Sequence, residues 1–583
     1  MKKTGIFLKF AVLALVFAML LTSAVACNNG AGDGTGDDDG APNNDQTSSE
    51  LFDLNGFRII RAYEADQKMT SKIAALQDKI KTKLGLDLAV AIDLDIEETE
   101  GAKEILIGNT DRDATASALS NLKAMTSKEA FVINVTENAV VIVGTTDAAT
   151  SRAISVFMDD YVNKSSDAGK ISVSNGKTYA ALTNSENIEV LAGGTEIEQL
   201  VKTTIFTANG TNKTLGYITN ATSAHYPRVI ELQHQKNPED NGTLIVHFCL
   251  QDTPSVSGQD TRSCFMQSKD GGKTWSLLSR PEEQNPAGKA QGLVPGNMSH
   301  LYELPEQLGN FPAGTLVYSS GSINYSVRTE IWVWYSTDAG KTWTQTSLIA
   351  TGGCVEPNDK WPRQSGVWEP FTWYEDGWLY CFYSDDSDPA HDQKLVYKRS
   401  KDGINWSELV DVCKFSDPEA RPGMFVMTKM GNGKYFMVYE YINSPGVDKV
   451  YYKITDDITS WNPSDPGKPI QAGTYSGGSA PSCLWVPAGG ECGTLIATCT
   501  WEINGDGTHR IFVSFDYGET WTTMTNPLSY DKSNDKVAAG GSNRIGYSPS
   551  FFLAADGRTV YYVNTTNTER GERRIQFASF RIY

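Results

Sequence analysis

Between residues 51 and 180 the apolar positions follow two different periods. Met69, Ile73, Leu76, Ile80 and Leu84 recur three or four residues apart, the spacing of one helix face. Glu104-Ile-Leu-Ile-Gly108 and Ala130-Phe-Val-Ile-Asn-Val135 are short apolar runs that read as strands. Asn138-Ala-Val-Val-Ile-Val-Gly144 reads as a third strand, entered through a turn at Glu137-Asn138. Ile154, Phe157, Met158 and Tyr161 then mark a second amphipathic helix. This mixture predicts a small α/β domain over residues 51–185. From about residue 195 the pattern changes to short strands separated by Gly-rich turns, which predicts an all-β region to the end of the chain.

A repeat organises that second region. Ser268-Lys-Asp-Gly-Gly-Lys-Thr-Trp275 is followed by Ser336-Thr-Asp-Ala-Gly-Lys-Thr-Trp343, Ser400-Lys-Asp-Gly-Ile-Asn-Trp406 and Ser514-Phe-Asp-Tyr-Gly-Glu-Thr-Trp521. Ser and Asp side chains suit turn amides, Gly supplies a left-handed residue, and Trp packs beneath the hairpin. The starts lie 68, 64 and 114 residues apart, and a degenerate copy, Thr455-Asp-Asp-Ile-Thr-Ser-Trp461, fills the double gap. Those five units, with strands at Phe551–Leu553, Thr559–Val563 and Ile575–Ile582, predict six four-stranded blades over residues 195–583. The closing strand should complete a sheet begun near residue 200. The repeats resemble the Asp-box of sialidase-type β-propellers. That resemblance places them in outer hairpins, so their aspartates are excluded as catalysts.

Composition narrows the function. The 583 residues carry a net charge of −19, which argues against a nucleic-acid partner because phosphate binding needs a basic footprint. Nine cysteines are present with no Cys-x-x-Cys pair, so no zinc site is expected, and no metal or other cofactor is called for.

The first residues read as a targeting segment. Lys2, Lys3 and Lys9 precede an apolar run from Phe10 to Leu21, and Ala24-Val25-Ala26 leads to Cys27. This resembles a bacterial lipoprotein signal over residues 1–26, with Cys27 as the lipidated first residue of the mature chain. An ordinary secretory signal is the alternative. The apolar run is too short for a membrane-spanning helix. Residues 28–50 hold almost no large apolar side chain and read as a flexible tether, so that 27–50 links a membrane lipid to an extracytoplasmic enzyme.

Glycoside hydrolysis needs two carboxyls, one protonated and one ionised. Glu369, in Gly366-Val-Trp-Glu-Pro-Phe-Thr-Trp373, sits in an aromatic setting that should raise its pKa. Glu440 ends the apolar strand Tyr435-Phe-Met-Val-Tyr-Glu440, with Arg421 upstream as a cation able to keep it ionised. His225, Tyr226 and Arg228 open the first blade, Asp385 and Asp386 end the strand after Glu369, and Arg544 and Tyr547 enter the last blade. These are candidates for sugar contact or for scaffold. Trp368, Trp373 and Trp501 are candidates for stacking on sugar rings or for the core.

The segments HYPRVIEL, GVWEPFTWYEDGWLYCFYSDD, QKLVYKRSKDGINWS, RPGMFVMTKMGNGKYFMVYEY and GYSPSFFLAADGRTVYYV, in order over roughly residues 205–583, resemble glycoside hydrolase family 93. That family comprises six-bladed exo-α-1,5-L-arabinanases. The resemblance implies a retaining mechanism on an arabinan-like saccharide and maps the two catalytic glutamates onto Glu369 and Glu440. EILIGNTDR and FVINVTENAVVIVGTTDAATSRAISVFMDDYV resemble the small accessory domain of α-glucuronidases and β-hexosaminidases. Two rivals remain. An exo-sialidase would use Arg228, Arg421 and Arg544 as an arginine triad with Tyr547 as nucleophile, and a sugar-capture lipoprotein would bind without turnover.

Overall fold

The computed structural model describes residues 50–173, 176–208, 221–252, 261–353, 365–443, 449–500, 502–503, 510–528, 546–567 and 572–583. Cys27, Trp501, Arg544 and residues 28–49 of the expected tether lie outside the described residues. The chain divides into two compact units, the second spanning Glu189–Ile582.

In the first unit the strands Val90–Ile92, Arg58–Arg61, Glu104–Ile107, Ala139–Gly144, Ala130–Val135 and Thr178–Leu182 form one sheet in that order. The first four run parallel, and the last two add antiparallel pairs. The apolar face that begins at Met69 belongs to a helix over Gln67–Leu84. Asp66 caps its start by accepting from the Met69 amide, and Gly85 ends it in a left-handed conformation. The second expected helix spans Asp147–Val156 and widens into a π-helical turn over Phe157–Asn163. A further helix, Asp113–Met125, buries only Thr115 and Leu122 completely, which is why its sequence shows little apolar period.

The second unit is a six-bladed β-propeller. The innermost strands of blades 1 to 6 are Ala221–Glu231, Val294–Glu303, Val367–Glu375, Arg421–Lys429, Ser482–Val486 and Ser550–Leu553. The sixth sheet closes the ring: Arg573–Ile582 pairs antiparallel with Glu196–Ala208 from the start of the unit. That closure also explains why six blades carry five repeats. The turn motif joins the third and fourth strands of a blade, and in blade 6 those two strands come from opposite ends of the propeller, so no hairpin joins them.

The turns are built from hydrogen bonds within each motif. Ser268 Oγ accepts from the Gly272 amide at 2.9 Å, and Asp270 accepts from the Thr274 amide at 2.9 Å and its hydroxyl at 2.6 Å. Asp338 and Asp516 hold Thr342 and Thr520 in the same way. Three of the turns are also latched to the preceding blade. The hydroxyls of Thr203, Ser279 and Ser347 donate to the carbonyls of Gly272, Gly340 and Gly403, and accept from the indoles of Trp275, Trp343 and Trp406.

A second sixfold feature lies at the opposite end of the radius. Tyr226, Met298, Glu369, Met424, Ala480 and Ser548 all have φ between 46° and 60°, one at or just before the innermost strand of each blade. The register slips there in the first four blades, as a bulge demands. A side chain in this region is strained by about 1–3 kcal/mol, and such strain concentrates at functional sites.

Candidate active site

These six left-handed residues ring the mouth of the central channel. Tyr226, Met298, Met424 and Ala480 pack with Cys249 and Tyr547 into a small apolar floor. Glu369 is the one acid of the ring. Its Oε2 accepts from Ser384 Oγ at 2.9 Å and from the Met424 amide at 3.0 Å, and its Oε1 faces the Tyr226 hydroxyl at 3.5 Å. Glu440 is held by the same device one blade further on. Its Oε2 accepts from Ser479 Oγ at 2.5 Å and from the Ala480 amide at 2.9 Å. Each glutamate is therefore fixed by one serine hydroxyl and one amide of a left-handed residue. Among the described residues nothing donates to Oε1 of Glu440.

Gly423 lies between the two carboxyls. It faces Glu440 across the strand ladder, and a Cβ built on it would stand 3.5 Å from Glu369 Oε2 and 2.3 Å from Gln393 Nε2. Glu369 itself is half-buried. Burial, and then the charge of Glu440, push its pKa up to about 7, while Ser384, the Met424 amide and Arg421 pull the other way.

Arg421 donates to Gln393 Oε1 at 2.5 Å and lies 3.7 Å from Asp386 Oδ2. On the ladder it faces Ile442 rather than Glu440. Its charge acts on Glu369, and the donors that hold Glu440 are Ser479 and Ala480. Asp386 also accepts from the Trp368 indole at 2.9 Å, and burial raises its pKa to about 8. Its neighbour Asp385 instead caps a turn, accepting from the Ser387 amide and hydroxyl.

The remaining candidates separate by contact. Arg228 is half-buried and donates to the Pro227 carbonyl and to the carbonyl and hydroxyl of Ser548, tying blade 1 to the entry of blade 6. Burial draws its pKa down to about 10. Tyr547 meets Tyr226 edge to face at 5.1 Å, and His225 packs beside Tyr226 at 5.5 Å. Trp368 is 7% exposed and so forms a wall of the site. Trp373 donates to Glu375 at the far end of its strand. Beneath the mouth His247 and His300 are held neutral by burial and by Arg228.

Sequence reasoning missed Ser384, Ser479, Gln393 and Gly423. No local pattern marks these four, but one marks the ring: Tyr226-Pro227, Glu369-Pro370, Ala480-Pro481 and Ser548-Pro549 repeat a residue–proline pair at four of its six positions. Among the described residues no cluster of three His, Cys, Asp or Glu side chains could hold a metal ion.

Two solved glycoside hydrolases resemble this chain. An α-L-arabinofuranosidase of glycoside hydrolase family 93 from Fusarium graminearum, solved with arabinobiose, is 26% identical with a TM-score of 0.54, covering 66% of this chain and 98% of its own. An α-L-arabinanase from Penicillium chrysogenum, also solved with arabinobiose, is 27% identical with a TM-score of 0.53, covering 65% of this chain and 98% of its own. No protein-family model matches the sequence, and the comparison with curated proteins finds no match.

Proposed function

We propose that this chain is an exo-acting, retaining glycoside hydrolase directed at arabinan. The glycoside hydrolase class is supported by the likeness to the two fungal enzymes, one named an arabinanase and the other an arabinofuranosidase. One observation carries the mechanism: two glutamates flank Gly423 on adjacent blades, each fixed on one oxygen, with one of them raised to about pKa 7.

Glu369 is the acid/base. Its proton is retained near neutral pH, so it can protonate the leaving oxygen. Glu440 is the nucleophile: with Oε2 tethered, Oε1 attacks the anomeric carbon and forms a glycosyl ester. Glu369, now ionised, takes a proton from water, which hydrolyses the ester and restores both groups. Two inversions give net retention.

The sialidase reading is disfavoured by the arginines. Arg228 and Arg421 already donate to protein acceptors, so two members of the required triad are engaged within the fold. The proposal extends to placement. The basic, apolar and small-residue succession ending at Cys27 supports a lipid anchor, and residues 28–50 would act as a tether letting the enzyme work off the membrane surface. Palmitate labelling that survives Cys27→Ser would contradict the anchor. The preceding unit would serve as an accessory domain.

The test is product analysis after separate incubation with debranched arabinan and with sialyllactose. Short arabinose products from the first, with no sialic acid from the second, are expected. Release of sialic acid with arabinan left intact would overturn the proposal.

A further inference from the structure

The Trp368 ring is fixed on several sides. It folds back over Gly366, where an added Cβ would come within 2.0 Å of the ring. Its indole donates to the buried Asp386 at 2.9 Å. The ring of Tyr325 lies against it, with centroids 6.2 Å apart and planes 27° from parallel. Trp368 itself is nearly covered, at 7% exposure, but Tyr325 is 40% exposed.

Tyr325 occupies the turn between the second and third strands of blade 2, at the same end of the blade as the left-handed Met298. The turn is ordered from within and from below. Asn324 donates to the Gln291 carbonyl at 2.8 Å and accepts from the Ser326 amide at 3.2 Å, and the Val327 amide donates to the Asn324 carbonyl at 2.9 Å. An aromatic ring held at the rim and backed by a tryptophan locked onto an acid is a surface on which the apolar C–H face of a sugar packs. Such a ring has few rotatable bonds to freeze, so binding costs it little entropy.

We infer that Tyr325, backed by Trp368, forms the subsite for the sugar on the leaving side of the cleaved bond. The side follows from contact: the Trp368 indole bonds Asp386, whose carboxyl lies close enough to Glu369 to feel its charge, and Glu369 is the group assigned to protonate the leaving oxygen, so the departing residue is placed on the Trp368 side. The inference rests on the arabinanase reading above and adds the residue that selects the leaving group. Trp368 is then the wall behind the platform, and the exposed tyrosine is the contacting ring.

The experiment compares wild type, Tyr325→Ala and Tyr325→Trp on linear α-1,5-arabinotriose to arabinohexaose, reading kcat/KM and the ratio of transfer to hydrolysis products when free arabinobiose is added as acceptor. Tyr325→Ala should lower kcat/KM by about tenfold, the scale of one lost ring stack, and should lower the transfer ratio with it. Tyr325→Trp should restore both. Loss of a merely structural contact would leave the transfer ratio unchanged. If wild type cleaves these sugars and Tyr325→Ala matches it in both readouts, the subsite is wrong while the arabinanase reading stands. If wild type cleaves none of them, the arabinanase reading falls and the subsite with it.

Discussion

The propeller carries acids at both ends of its radius, and their environments are opposite. Asp270, in an outer turn, is exposed, and the Thr274 hydroxyl and amide lead a set of donors that holds its pKa down to about 2. Glu369, at the mouth, also accepts hydrogen bonds, yet burial and the neighbouring Glu440 outweigh them and raise its pKa to about 7. The turn motif stabilises the charged form of its acid, and the mouth stabilises the neutral form. Hydrogen-bond donors alone therefore do not mark a catalytic carboxylate; desolvation beside a second acid does.

The sharpest way to break this contrast is to delete acids from each region. Glu369→Ala and Glu440→Ala should each cut turnover by roughly four orders of magnitude or more, with circular dichroism unchanged. Asp270→Ala removes the more strongly hydrogen-bonded acid, and should leave turnover within about threefold. Near wild-type activity in either Glu variant would erase the distinction.

Gly423→Ala tests the geometry between the carboxyls. Its Cβ would displace the Gln393 amide that bonds both Arg421 and the Pro422 carbonyl. Turnover should fall about tenfold to a hundredfold, since small misplacements of reacting groups are expensive. Unchanged kinetics would show that Gln393 can move without disturbing Glu369.

pH dependence follows from the sign of the Glu369 shift. The acid role needs the proton, so kcat/KM should decline as pH rises through about 7. Arg421→Gln removes a charge that lowers this pKa, so the alkaline limb should move upward. Stability has the same sense. The folded pKa lies above the unfolded value, so the neutral carboxyl's contribution is complete below the unfolded pKa and lost through about pH 7. Glu369→Gln should therefore raise Tm at pH 8 and leave it nearly unchanged at pH 4. Asp270 behaves oppositely: its contribution is present above its unfolded pKa and lost toward pH 2. At pH 7 Asp270→Ala should cost about 1 kcal/mol, the scale of hydrogen bonds at an exposed turn, measured by urea unfolding.

The blade count was legible because each turn motif is a local sequence rule, satisfied by side chains within a few residues of one another. The left-handed ring was legible only through the prolines that follow four of its residues, because its function resides in the backbone. Tyr226, Met298, Glu369, Met424, Ala480 and Ser548 share a dihedral and no side-chain chemistry. Glu369 and Glu440 stood out as acids in apolar strands, but their serine partners come from another strand and from the entry to the next blade, and no local pattern announces them. Arg421 illustrates the limit: proximity in sequence suggested Glu440, whereas strand register sets it opposite Ile442 and beside Gln393.

The central claim is the division of labour between the two glutamates, and azide rescue tests it most directly. On an activated aryl arabinofuranoside, azide should restore turnover to Glu369→Ala with a glycosyl azide of retained configuration, because Glu440 still forms the ester. It should restore turnover to Glu440→Ala with inverted configuration, because azide then attacks in the nucleophile's place. Inverted azide from Glu369→Ala together with retained azide from Glu440→Ala would contradict the assignment and exchange the two roles.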